Sequence, residues 1–172
     1  MGAEIAAPGA AQRALPGFGN CFGCAPENHK GLKLDLRAGG GAVSAQVCLG
    51  EGYESFPGIV HGGIIATVLD EVMARASLEA TGLPAMTVGM RLRFIQVMRS
   101  GVPHLAQATV VSSDGNLVRV EGQLSAASGG LVAAAEATFF LWSPEQLASG
   151  KMGLPPETLE TINAFLSQTR TR

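Results

Sequence analysis

A chain of 172 residues is long enough for one domain with a real core, and 47% hydrophobic against 15% charged residues excludes a disordered chain. The formal net charge is −2 and Lys and Arg are scattered singly, so no basic face is offered to phosphates and no nucleic-acid partner is expected. No apolar run reaches the roughly 18 residues of a membrane span, and three cysteines, an odd number, make no disulfide framework; reduced thiols, a cytoplasmic location and no membrane partner are expected.

Residues 1–20 carry Pro8, Pro16 and several glycines, with neither a basic segment nor a continuous apolar stretch before Gln12. They read as a flexible lead-in rather than a signal peptide. Leu32, Leu34 and Leu36 then alternate with Lys33, Asp35 and Arg37, the period of a half-buried strand. Gly39-Gly40-Gly41 supplies a turn, residues 43–49 alternate again as the partner strand, and residues 52–58, with Pro57, form a loop. From 61 to 80 no alternation survives and no Pro or Gly interrupts the run after Gly63, which predicts a helix of roughly five turns. Thr81-Gly82 ends it, with Pro84 just beyond.

The second half switches to long alternating segments. Val88, Met90, Leu92 and Phe94 share one face of a strand, and strands over 105–111, 117–124 and 131–141 follow. Gly101, Asp114-Gly115 and Gly129-Gly130 punctuate them as hairpin turns. Phe139, Phe140 and Trp142 are expected to close the core, and a proline-containing linker after Ser143 leads to a short helix over 157–166. Two strands, one long apolar helix and four antiparallel strands make an α+β architecture with one helix facing one sheet. The expected division is a lead-in over 1–20, a domain over 21–145, and a linker with a short helix over 146–172.

On a helical wheel at 100° per residue, Ile65, Leu69, Val72, Met73 and Ala76 gather on the face that sinks into the sheet. Glu71, Arg75 and Glu79 form an i, i+4 stripe on the surface, worth about 0.3 kcal/mol per pair. The third sector holds Ala66, Thr67, Asp70, Ala74 and Ser77, small residues around one carboxylate that has no partner in helical register. Asp70 is therefore a candidate base or nucleophile, against the plainer reading of a solvated polar face. His61-Gly62-Gly63 leaves backbone N–H groups uncovered at the positive end of the helix, where a carbonyl is polarised and an oxyanion stabilised. Gly62 and Asp70 lie eight residues, or about 12 Å, apart along the axis, too far to touch one carbonyl from one chain. Two such helices antiparallel about a two-fold axis would bring them together, so a mechanism using both requires at least a dimer.

The run Phe56-Pro57-Gly58-Ile59-Val60-His61-Gly62-Gly63-Ile64-Ile65-Ala66-Thr67-Val68-Leu69-Asp70-Glu71 resembles the helix-opening motif of hot-dog acyl-CoA thioesterases of the phenylacetate-degradation (PaaI-like) type. The likeness continues through residues 87–94, Gly101 and the strands ending at 133–140, and covers most of residues 20–142. It implies a hot-dog fold, an antiparallel sheet wrapped around one long helix, and hydrolysis of an acyl- or aroyl-CoA to free acid and CoA without a cofactor. It also implies a homodimer or dimer of dimers with shared sites. By position, Asp70 would activate water or attack the thioester, Gly62 would offer its N–H, and His61 would orient loop and substrate. Thr87 would help position the acid or the water. Gly63, Ser55, Arg91 and Arg93 are the substrate-binding candidates. Ser55 is the residue nearest the place where some relatives carry an Asn, which is a departure from the pattern. The element Cys21-Phe22-Gly23-Cys24-Ala25-Pro26-Glu27-Asn28 resembles the lead-in of a subset of these enzymes.

Cys21-x-x-Cys24 supplies two of the four ligands of a zinc site, and only His29 or Cys48 stands ready to add to it, so a turn carrying ordinary thiols and no metal is expected. His104 reads as a surface strand end. Arg91 and Arg93, opposite Met90 and Leu92, are either a solvated face or a contact for CoA phosphates; Arg99 and Arg119 are weaker candidates of that kind. Two other functions stay open: a 3-hydroxyacyl dehydratase, which needs a loop His well ahead of the helix that this chain does not supply, and an inert acyl-CoA-binding module, which needs no Asp70.

Overall fold

The computed structural model describes residues 12–149 and 153–170; residues 1–11 of the expected lead-in lie outside the described residues. The elements in chain order are β1 (Arg13–Ala14), β2 (Leu36–Gly39), β3 (Ala42–Val47), a one-turn 3-10 helix (Glu51–Tyr53), β4 (Glu54–Phe56), β5 (Ile59–Val60), α1 (Gly62–Thr81), β6 (Ala85–Phe94), β7 (His104–Asp114), β8 (Leu117–Ala126), β9 (Leu131–Leu141), α2 (Pro144–Ala148) and α3 (Pro156–Arg170). Seven strands form one antiparallel sheet in the order β1-β2-β3-β7-β8-β9-β6, and β4 and β5 make a separate hairpin. α1 packs across one face of the large sheet. Among the described residues no helix is long and apolar enough to cross a membrane.

The helix lies where the sequence pattern puts it. His61 caps its start, and Gly82, at φ 67°, turns the chain into the left-handed region and bonds back to the Leu78 carbonyl at 2.8 Å. Ile65, Leu69, Val72, Met73 and Ala76 are all buried, as is Val68. The sheet makes room for them with small residues. Ala106 and Ala108 on β7, Gly122 on β8 and Ala133, Ala135 and Ala137 on β9 are in register and buried beneath the helix. At Gly122 an added Cβ would come within 2.9 Å of Met73 Cγ, so the closest crossing of helix and sheet requires glycine.

Other expectations are corrected. Leu32, Leu34 and Leu36 are buried and their neighbours exposed, as the alternation implies, but the strand begins only at Leu36. Lys33 sits at φ 53°, and Leu32 and Leu34 donate their N–H groups to the Phe22 and Gly23 carbonyls of the cysteine turn. The alternation reported burial, not strand pairing. Arg13 and Ala14, assigned to an irregular lead-in, add an edge strand to β2, and residues 54–60 form a hairpin rather than a loop. Ser143-Pro-Glu-Gln146 begins α2 with reciprocal capping bonds, a signal present in the sequence but assigned to the linker. The final helix runs longer than 157–166. Of the three aromatics placed in the core, only Phe139 is fully buried. Phe140 pairs across to Met86 and Leu117 on the outer face, and Trp142 is half-buried. His104 is buried rather than at the surface, its Nδ1 2.8 Å from the Val102 carbonyl oxygen.

The stripe of Glu71, Arg75 and Glu79 is not a solvated face. The N-terminal segment covers it: Arg13 forms an ion pair with Glu79, Cys21 lies against Glu71, and Arg75 is 5% exposed. A wheel shows which residues share a face but not what another part of the chain lays over it.

Candidate active site

The opening of α1 is built by the small hairpin in front of it. Tyr53 anchors to the Gly31 carbonyl through its hydroxyl at 3.0 Å, and its own carbonyl accepts the His61 N–H at 2.8 Å. Val60 donates to the Met98 carbonyl at 3.0 Å, tying the approach to α1 to the segment after β6. His61 then uses its side chain as the cap: Nδ1 accepts the Gly63 N–H at 2.9 Å. Ile64 and Ile65 donate back to the His61 carbonyl. Gly63's N–H is thereby committed, whereas that of Gly62 has no partner among the described residues. The ring of Phe94 covers Gly62 so closely that a Cβ there would lie 3.2 Å from Phe94 Cζ. That contact, made by the last residue of β6, was not visible in the sequence, because it joins residues 32 apart through the fold.

Eight residues along α1, the partly buried Asp70 carboxylate accepts the Thr87 hydroxyl at 2.8 Å. Thr87 reaches the helix because β6 is bulged between Thr87 and Gly89, with Val88 as the extra residue. Strict alternation would put Thr87 on the face opposite Met90, Leu92 and Phe94. The bulge places Thr87, opposite buried Phe139, on the same helix-facing side as Met90, Leu92 and Phe94, opposite Ala137, Ala135 and Ala133. Val88 thus does not share the expected face, and Met90 and Phe94 are exposed although they lie on it.

The remaining candidates lie apart. Ser55 is the unpaired bulge residue of β4 and is exposed; among the described residues it has no hydrogen bond to His61, Gly62 or Asp70. Arg91 and Arg93 stand on the outer face, Arg91 opposite Glu136 and Arg93 opposite Ala134, and line shallow grooves away from α1. Arg119 is exposed on that outer face and Arg99 is exposed beyond β6. His29 and Cys48 are exposed, and all three cysteines are free. Cys21 and Cys24 hydrogen-bond to each other, which lowers the Cys21 thiol to about 7 against the opposing effects of burial and the Glu71 charge. The same bond, with burial and Glu71, pushes Cys24 up.

The structure therefore brings His61, Gly62 and Gly63 together at one end of α1 and Asp70 with Thr87 about two turns further on. Residues 57–133 match the family model described as the thioesterase superfamily. No curated protein matches the sequence. Among solved structures, a thioesterase superfamily protein is similar with a TM-score of 0.66 and 26% identity, covering 78% of this chain and 69% of its own. A phenylacetic acid degradation-related protein of Ralstonia eutropha is 26% identical with a TM-score of 0.58, covering 63% and 85%. A Streptococcus mutans protein solved with acetyl CoA bound has the same fold at 22% identity and a TM-score of 0.60, covering 64% and 89%. The α1-on-sheet architecture is the hot-dog fold, and the thioesterase superfamily match falls on the part of the chain from the opening of α1 into β9.

Proposed function

We propose that the protein hydrolyses the thioester of an acyl- or aroyl-CoA at a site shared between two copies of the chain. The observation that carries this reading is the pairing of an unpartnered Gly62 N–H at the positive end of α1 with a partly buried Asp70 on the same helix, held by Thr87. The partner subunit's Gly62 polarises the thioester carbonyl, and Asp70 takes a proton from water as the water adds to the carbonyl carbon. Collapse of the tetrahedral intermediate expels CoA thiolate and leaves the free acid. Asp70 can alternatively attack the carbonyl itself and form an anhydride that water then opens. His61 contributes by holding the Gly63 N–H, which leaves the Gly62 N–H as the free donor at the helix end.

Two features support the shared site. β6 is a ten-residue strand at the sheet edge, and an unpaired edge of this length invites a second strand. Met86, Val88 and Phe94 on it are 51%, 52% and 58% exposed, an apolar edge suited to a second copy of itself across a two-fold axis. The acetyl CoA complex of the Streptococcus mutans protein supports CoA as the leaving group. The test is a panel of acyl- and aroyl-CoA esters, with release of free thiol followed in the absence of added metal. Release from at least one ester, abolished by Asp70→Asn, is expected; no release across the panel contradicts the proposal.

A further inference from the structure

Outside this site the most concentrated chemistry lies where the cysteine turn meets α1. One ligand atom each from Cys21, Cys24 and Glu71 lies within 4.8 Å of the others. We propose that Cys21, Cys24 and Glu71 bind a thiophilic divalent cation of the zinc class, with a fourth position open to water.

The ligand set is of the right chemistry, since two thiolates select zinc-like ions over magnesium or calcium and one carboxylate is a common companion. The spacing also fits. Tetrahedral zinc with Zn–S near 2.3 Å and Zn–O near 2.0 Å holds sulfur and oxygen about 3.5 Å apart. Cys21 Sγ and Glu71 Oε2 are 3.4 Å apart. The turn is already shaped as a thiolate cradle, because the Gly23 N–H donates to Cys21 Sγ at 3.3 Å. Gly23 is also the residue that lets the carboxylate in: a Cβ there would collide with the Glu71 carboxyl group. Any other side chain would push Glu71 away from the sulfurs, so the spacing Cys-x-Gly-Cys and the position of Glu71 depend on one another.

Without a cation this arrangement is poorly matched. The two thiols offer the carboxylate weak S–H donors, and its charge disfavours either thiolate. A divalent ion makes all three contacts attractive. It has a way in, because Cys21 is partly exposed and, with Glu71, borders a cavity of about 190 Å³ that Phe18, Ala74, Arg75, Pro84 and Ile162 also line. That space accommodates the water of the open position. The bound ion crosslinks the turn that carries residues 32–34 to the α1 residue next to Asp70.

The test uses the full chain with exposed Cys48 replaced by Ser, purified reduced and metal-free, and titrated with cobalt(II) and then zinc. One cobalt per chain is expected, with thiolate-to-cobalt charge-transfer absorption and the visible bands of a tetrahedral site, displaced by zinc. Zinc should raise the melting temperature and protect Cys21 and Cys24 from alkylation. Glu71→Gln, nearly isosteric, should weaken zinc binding by at least about 10- to 100-fold, the cost of losing even an outer-shell partner, and Cys24→Ser should cut the charge-transfer absorption by about half or more, as one of two thiolates is lost. Absence of the bands in the parent chain overturns the proposal, as does a Glu71→Gln titration indistinguishable from the parent's. A Cys21–Cys24 disulfide that forms in air, with no cobalt uptake by the reduced chain, overturns it in favour of a redox pair. None of these readouts requires thioester hydrolysis, so the outcome is independent of the proposed reaction.

Discussion

Thr87 gives Asp70 the hydrogen bond that the helix itself denies it. Asp70→Asn keeps the volume and removes the charge, so turnover should fall by about 10²-fold or more with folding intact, as for loss of a general base. Glu79→Gln, an acid on the same helix paired with Arg13, should leave turnover nearly unchanged. Equal losses in steady-state kinetics of the two variants would contradict the assignment. Thr87→Val removes one hydrogen bond to a charged group, worth about 1.5–3 kcal/mol, so kcat should drop roughly 10- to 100-fold with KM little changed. Asp70 stands out in the sequence as a candidate because a carboxylate set among Ala66, Thr67, Ala74 and Ser77 has no neighbour in helical register. Glu71 was misread for the opposite reason. Its register neighbour Arg75 suggested an exposed surface, whereas Arg75 is buried and Cys21, 50 residues upstream, is brought against Glu71 only by the fold.

At the scale of elements, α1 and the strands after it were readable because each announces itself locally: an unbroken apolar run ended by Gly82, and alternating runs separated by Gly115 and Gly129. β6 was readable as a strand but not in its facing, since the bulge at Val88 changes parity and its one local signal is the adjacent Gly89. The packing of α1 on the sheet rests on an equally silent feature, Gly122. Gly122→Ala should destabilise the fold by about 1–3 kcal/mol, because the added Cβ meets the fully buried Met73 at 2.9 Å and Leu69 at 3.4 Å. Chemical denaturation should show a lower midpoint with an unchanged slope; an unchanged midpoint would mean that helix and sheet are not held this closely. At the opening of α1 a pair of substitutions separates sterics from chemistry. Gly62→Ala adds a Cβ 3.2 Å from Phe94, which is largely exposed and free to yield, but keeps the N–H. Gly62→Pro removes the N–H at a helix position that tolerates proline. The Pro variant should lose about 10²- to 10³-fold in kcat and the Ala variant far less. Similar losses in both would point to crowding by the added atoms rather than to a missing donor.

For the whole molecule, the exposed apolar edge of β6 and the distance between the two ends of the site support the central proposal, that the chain works in pairs. The measurement that tests it most directly mixes an Asp70→Asn chain with a Gly62→Pro chain, after both are shown to fold and to exchange subunits. Each homodimer should be nearly inactive. A heterodimer carries one site with both defects and one with neither, so a random mixture should recover roughly a quarter of the unsubstituted activity by symmetry. Recovery near that level is the expected result. No recovery, with folding and exchange established, would show that each chain builds its own site and would contradict the shared mechanism.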